Sequence, residues 1–169
     1  MKDNSMSILI SLNALSAISK LCEFIFTHSE AVPPDVTAMT LGVSPFMVSV
    51  RYNGTCIPSK CLAEDLPTLF SELQDYGADS LTHINFDRAI ALRYDYRLDS
   101  SHKVKSIVSE AKDNAQEGSF IRVYLRETEE SEKVSPSLIW EGLAKLMDHM
   151  DNPPDIQHMS IFLNGERMP

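Results

Sequence analysis

Between residues 89 and 98 the chain alternates without a break: Ile90, Leu92, Tyr94, Tyr96 and Leu98 interleave with Ala89, Ala91, Arg93, Asp95 and Arg97. Successive strand residues point to opposite sides, so this period of two predicts a β-strand with one apolar face and one polar face. Such a strand cannot stand alone. It needs neighbours to pair with and a layer of apolar side chains over one face only. The chain must therefore build a sheet that is greasy on one side and carries arginine on the other.

Other segments repeat the pattern. Phe46 to Tyr52 reads as a strand closed by Asn53-Gly54, a hairpin signal, with a short return strand from Thr55 to Ile57 that Pro58 interrupts. Val36 to Leu41 and Leu81 to Phe86 read as further strands, and Ile121, Val123 and Leu125 alternate with Arg122, Tyr124 and Arg126. Gln157 to Leu163 reads as a last strand before Asn164-Gly165. Helical spacing appears elsewhere. Ile8, Leu12, Leu15, Ile18, Cys22, Ile25 and Phe26 form a stripe over a helix from about Ser7 to His28, which Pro33-Pro34 ends. An alternative reading of this run is a cleaved export signal, against which Asp3 and the interspersed Ser11, Asn13 and Ser16 argue. Asp65 reads as the N-cap of a helix ending near Tyr76 with Gly77 beyond it. Ser100 or Ser101 reads as the cap of a helix facing inward with Val104, Ile107, Val108, Ala111 and Ala115 and ending at Gly118. A polar loop from Glu127 to Lys133 leads to Ser135-Pro136, an N-cap followed by proline at the first helical position, and that helix stops before Pro153-Pro154.

This order predicts one α+β domain over residues 1–169. It is a mixed α/β arrangement with a mixed sheet of five to seven strands and helices mainly on one face. The N-terminal half reads as a helix plus an antiparallel meander, and the C-terminal half as βαβαβ. The length suits a single core, and no repeat or long linker marks a second domain.

A formal net charge of −9 and a pI near 4.9 oppose non-specific binding to nucleic acid, because the mean field repels phosphate. Three cysteines make no complete disulfide framework, which fits buried thiols in a reducing cytoplasm.

Against the acidic background, five of the seven arginines fall on segments that share a sheet face: Arg51, Arg93, Arg97, Arg122 and Arg126, with Tyr124 among them. Guanidinium groups grip phosphate and carboxylate bidentately, and sheet faces mixing arginine with aromatics bind single-stranded nucleic acid. The same face is also what the solvated side of a two-layer fold looks like, with Asp95 neutralising Arg93 and Arg97. An N-terminal helix laid over it would remove it from use. Two acidic groups stand opposite in character. Glu127, Glu129, Glu130 and Glu132 share one loop, and Asp148, Asp151 and Asp155 gather after the last helix. Clustered carboxylates can imitate a phosphate ladder and occupy a basic channel on a partner, or can simply be solvated.

Catalytic motifs are missing. The six glycines are all isolated, so neither a phosphate-binding loop nor a dinucleotide fingerprint can form, and G-x-S-x-G and H-E-x-x-H do not occur. Cys56 and Cys61 lack zinc-site spacing. A Cys56 nucleophile served by His83, or a metal site from Asp148, His149, Asp151, Asp155 and His158, would depend on tertiary proximity that nothing local supports. Trp140 reads as a core residue or a partner-facing anchor.

Taken together these features predict a non-enzymatic, cytoplasmic acidic protein without cofactor, a regulator that sequesters or inhibits a macromolecular partner, such as a basic or nucleic-acid-handling protein. Direct binding of nucleic acid or a phosphorylated ligand through the arginine face is the competing expectation. The opening order of elements, with low pI and small size, also resembles that of acidic secretion chaperones, which implies a homodimer wrapping an effector segment. The extra βαβ at the end departs from that pattern.

Overall fold

The computed structural model describes the chain apart from residues 1–7, 12, 30, 55–56, 88–89, 112–117, 127–130 and 168–169. Its elements are β1 (Ile8–Ser11), α1 (Ala14–Thr27), β2 (Ala38–Ser44), β3 (Met47–Tyr52), α2 (Ser59–Gln74), β4 (Ala78–Asp87), β5 (Ile90–Leu98), β6 (Val104–Ala111), β7 (Ser119–Leu125), β8 (Ser131–Val134), α3 (Pro136–Asp148), β9 (His158–Leu163) and β10 (Glu166–Arg167). Eight strands form one mixed sheet in the order β10-β9-β2-β3-β7-β4-β5-β6, and β1 pairs with β8 in a separate ribbon. The mixed α/β class, with helices on one side of the sheet, is as the patterning predicts. The main sheet is larger by one strand than the upper bound.

Register shows why the alternation is so regular. One cross-sheet row runs Ile161, Leu41, Val50, Ile121, His83, Tyr94, Val108, each residue opposite the next. All but the last lie in the buried layer. The row beside it, on the other face, runs Phe162, Gly42, Ser49, Arg122, Thr82, Asp95, Ile107. Helix α1 packs on β3 and β7, α2 on β4, and α3 on α1. The apolar stripe Ala14, Ala17, Ile18, Leu21, Cys22 and Ile25 of α1 and the side chains of Leu62, Leu66, Phe70 and Leu73 of α2 fill the layer above the sheet. Burial at this density is worth about 1.5–3 kcal/mol for each large side chain. Gly118 needs its backbone freedom: it has φ +89°, and a Cβ there would lie 2.5 Å from the carbonyl oxygen of Tyr52.

Several boundaries differ from expectation. Residues 104–111 form a strand, β6, and not a helix; both faces of β6 are exposed, so no buried stripe selects the helical alternative. The C-terminal half is therefore not βαβαβ. Residues 8–11 pair with β8 before α1 begins, and Glu132 of the supposed polar loop lies in β8 opposite Ile10. Helix α2 starts at Ser59, six residues before Asp65, and accommodates Pro67. No return strand follows Asn53-Gly54 among the described residues, since Ile57 is outside any strand and Thr55 and Cys56 lie outside the description. Instead the Asn53 carboxamide accepts the backbone N–H of Thr37 and of Ala38, at 2.9 and 3.1 Å, and pins this turn to the start of β2. Ser135 does cap α3, accepting from the Leu138 N–H, with Pro136 at its first turn. Asn164 and Gly165 adopt φ +54° and +86° and close the β9–β10 hairpin.

Candidate functional site

The last turns of α1 and the outer side of α2 enclose a cleft of about 220 Å³, lined by Lys20, Glu23, Phe24, Thr27, His28, Asp65, Thr68, Leu69 and Glu72. Two contacts tie its walls together. His28, the C-cap of α1, places Nε2 2.9 Å from Asp65 Oδ2, and Lys20 Nζ lies 3.6 Å from Glu72 Oε1. The His28 ring is held from behind as well. Its Nδ1 sits 2.8 Å from the Phe24 carbonyl oxygen, and it stacks on the Phe24 ring at 4.1 Å. The result is a half-polar groove: aromatic and aliphatic surface from Phe24 and Leu69, hydroxyls from Thr27 and Thr68, the Lys20 ammonium, the His28 imidazole and three carboxylates. Such mixtures, with few placed polar groups on an apolar lining, characterise small-molecule sites.

Beneath the helices, His83 is fully buried on β4 and shares a 3.0 Å hydrogen bond with the Tyr52 hydroxyl, while its Nδ1 has no hydrogen-bond partner among the described residues. Burial lowers its pKa to about 3, so the ring is neutral at physiological pH. Next to it Asn85 exchanges two hydrogen bonds with the backbone of Ile57, donating to its carbonyl at 2.9 Å and accepting its N–H at 3.2 Å. The pairing of Cys56 with His83 falls outside the described residues at its cysteine end. Burial pushes the Cys22 thiol up to about 12, which leaves it inert.

The arginine face is real as a placement. Arg51, Arg93, Arg97 and Arg122 project from β3, β5 and β7 on the side opposite α1, α2 and α3, and Lys105 of β6 stands opposite Arg97 in register. Helix α1 does not cover them. Arg93 donates from Nε to Asp95 at 2.8 Å, Thr82 donates to the same carboxylate at 2.7 Å, and Arg122 stacks over Tyr124 at 5.0 Å. Arg51 lies 4.8 Å over the Phe120 ring. Burial raises the Asp95 pKa, but the hydrogen bonds from Arg93 and Thr82 and the charges of Arg93 and Arg122 outweigh it, and the net shift is downward. A depression of about 290 Å³ on this face is lined by Arg93, Arg97 and Lys105 together with Asp95. Arg126 lies past the end of β7, exposed, its N–H bonded to the Gly77 carbonyl at 2.7 Å.

Of the acidic groups, Glu127, Glu129 and Glu130 lie outside the described residues, and Asp148, Asp151 and Asp155 are exposed around the end of α3. Among the described residues no cluster of three histidine, cysteine or carboxylate side chains could hold a metal, which removes the grouping of Asp148, His149, Asp151, Asp155 and His158. Trp140 is 43% exposed on α3, so it is not the core residue that one reading made it.

No family model and no curated protein matches the sequence. Solved structures do. The fold aligns with the ATPase domain of MutL from Aquifex aeolicus in complex with ADP at TM-score 0.54 and 12% identity, covering 92% of this chain and 61% of that one. It aligns with the 43K ATPase domain of Thermus thermophilus gyrase B, bound to an aminocoumarin, at TM-score 0.58 and 10% identity, covering 93% and 45%. The ATPase and transducer domains of topoisomerase II from Balamuthia mandrillaris give 0.51 and 11%, covering 95% and 49%. The mixed α/β fold of this chain is similar to that of these ATPase domains. The chain spans between about half and three fifths of the length of these structures.

This likeness corrects the functional expectation. Neither an acidic inhibitor or regulator nor a non-enzymatic binder is what the fold points to, because its structural neighbours are ATPase domains. The error has a physical source. Phosphate-binding loops and dinucleotide fingerprints belong to strand–turn–helix units of parallel sheets. In a sheet as antiparallel as this one, their absence says nothing about nucleotides. The cleft residues were legible only as isolated charges on two helices. Lys20 and His28 are separated from Asp65 and Glu72 by dozens of residues, and no spacing rule joins them. No helix among the described residues is long and apolar enough to cross a membrane.

Proposed function

We propose that the chain is an ATPase-type nucleotide-binding domain and that the nucleotide enters the α1–α2 cleft. The observation that carries this reading is the likeness of more than nine tenths of the chain to ATPase domains, one of them complexed with ADP. The cleft supports it chemically. Phe24 and Leu69 offer surface for a base, Lys20 can neutralise phosphate, His28 can hydrogen-bond to it, and Glu23, Asp65 and Glu72 can meet a magnesium ion carried by the nucleotide. At about 220 Å³ the cleft is smaller than the ~300 Å³ at which ligand sites usually begin. Entry therefore requires α1 and α2 to part, breaking the His28–Asp65 and Lys20–Glu72 contacts.

Calorimetric titration with Mg-ADP and Mg-ATP tests this directly. Saturable binding below about 1 mM is expected, with phosphate release from ATP followed in parallel. Substituting His28→Ala together with Lys20→Ala should weaken binding at least tenfold while leaving the fold intact. No heat and no rise in melting temperature at about 1 mM of either nucleotide overturns the reading.

A further inference from the structure

On the side of the sheet away from the helices, Ser80, Arg97 and Lys105 form one row across β4, β5 and β6, each residue opposite the next. Arg97 and Lys105 are therefore direct cross-strand partners, and like charges so placed destabilise a sheet. Both are exposed, and with Arg93 and Asp95 they line the depression of about 290 Å³. The neighbouring carboxylates do little to offset the pair. Asp95 is taken by Arg93 at 2.8 Å and by the Thr82 hydroxyl at 2.7 Å. Asp99 comes only within 4.0 Å of Lys105, and its other oxygen accepts the N–H groups of Ser101 and Lys103. The Arg97 guanidinium has no ion pair or hydrogen bond among the described residues. On β7, Arg122 has its Nε shielded from water and likewise without an acceptor among them. On a chain of net charge −9, this surface is locally short of anions.

We propose that the row Ser80–Arg97–Lys105 binds the dianionic phosphate group of a small phosphomonoester. Directly opposed strand residues hold their Cβ atoms about 4.5–5.5 Å apart, so the Arg97 and Lys105 side chains can close on one group from two sides. The guanidinium supplies a fork for two oxygens, the ammonium a point charge, and the Ser80 hydroxyl a third donor. Donors from three strands suit a tetrahedral group better than a planar carboxylate, and two poorly balanced cations suit a dianion. A nucleic-acid strand fits this face less well. The rings that would stack on its bases already carry guanidinium groups, Phe120 that of Arg51 at 4.8 Å and Tyr124 that of Arg122 at 5.0 Å. The net charge also repels a polyanion more than a single small one. The depression lies across the sheet from α1 and α2, so the inference is independent of the nucleotide cleft.

Inorganic phosphate, titrated into the full chain at low salt and followed by amide chemical shifts, provides the test. Saturable shifts centred on β4, β5 and β6 are expected, with a dissociation constant of about 1–5 mM. Arg97→Gln and Lys105→Gln, both at exposed sites, should keep the circular dichroism of the wild type and weaken binding at least tenfold. Lys20→Ala, across the sheet in the cleft, should leave these shifts unchanged. Because Arg97→Gln also removes a like-charged partner, its urea midpoint without phosphate should equal or exceed that of the wild type. No saturation up to about 20 mM phosphate, or undiminished binding by Arg97→Gln, overturns the proposal. So does a short oligothymidylate that binds more tightly than phosphate through the same residues, since the face then takes a nucleic-acid strand.

Discussion

His83 and Asp95 stand on neighbouring strands of one sheet, a row apart, and the protein treats them in opposite ways. His83 faces the helices, is completely shielded from water, and remains neutral. Asp95 faces the open side, keeps partial contact with water, and stays charged among Arg93, Thr82 and Arg122. The contrast teaches what the helical layer does. Over β3, β7 and β4 it removes water, so packing and desolvation set the energetics there. On the other face solvent is retained, and ionic contacts are screened and individually weak. The nucleotide cleft proposed above lies at the rim of the covered side, where a wall of water-excluding side chains meets charged ones.

The sharpest way to break this contrast is to open the covered side. Phe70→Ala on α2 removes a fully buried ring that packs 6.1 Å from Tyr96, and should cost about 3–5 kcal/mol. Urea unfolding should show a lower midpoint with an unchanged slope. A truncation on the open face, Tyr124→Ala, should cost far less, since that ring is 44% exposed.

Acid separates the two faces next. The folded pKa of His83 is lowered from 6.5 to about 3, so the unfolded chain binds a proton that the folded chain refuses. Stability is unaffected above pH 6.5 and falls as the pH drops from there toward 3, by about 1.4 kcal/mol for each unit once well below 6.5. Asp95 acts in a lower window. Its folded pKa lies below 3.8, so its contribution is present above that value and is lost only as pH falls beneath it. Stability measured between pH 7.5 and 4.5 should therefore decline in the wild type. In His83→Gln, which has no imidazole to protonate, the decline should be largely absent; an equal decline in both would place the proton elsewhere.

How far these features could be read from sequence follows the same division. Where one face is buried, alternation is enforced, and Phe46–Tyr52, 89–98 and Ile121–Arg126 announce β3, β5 and β7. Their arginines can be assigned to a common face without coordinates. The covered polar groups cannot, because nothing local distinguishes His83 from a surface histidine. At β6 neither face is buried, so alternation carries no information, and Val104, Ile107, Val108 and Ala111 happen to fall at helical spacing. The cleft fails for another reason: α1 and α2 come together only through the sheet that both rest on, and Lys20, His28, Asp65 and Glu72 meet as a consequence of topology.

The smallest effect is expected on the open face. Arg93 and Asp95 form an ion pair there at 2.8 Å, yet their side chains keep 42% and 30% of their exposure. A double-mutant cycle with Arg93→Ala and Asp95→Ala should give a coupling of no more than ~1 kcal/mol, shrinking as salt is raised. Thr82 complicates the cycle, because it donates to the same carboxylate and is left without that acceptor once Asp95 is removed. Asp95→Ala alone should then cost more than Arg93→Ala alone. If instead the coupling reaches several kcal/mol and resists salt, water does not reach this face as its exposure indicates, and something covers the arginines in solution.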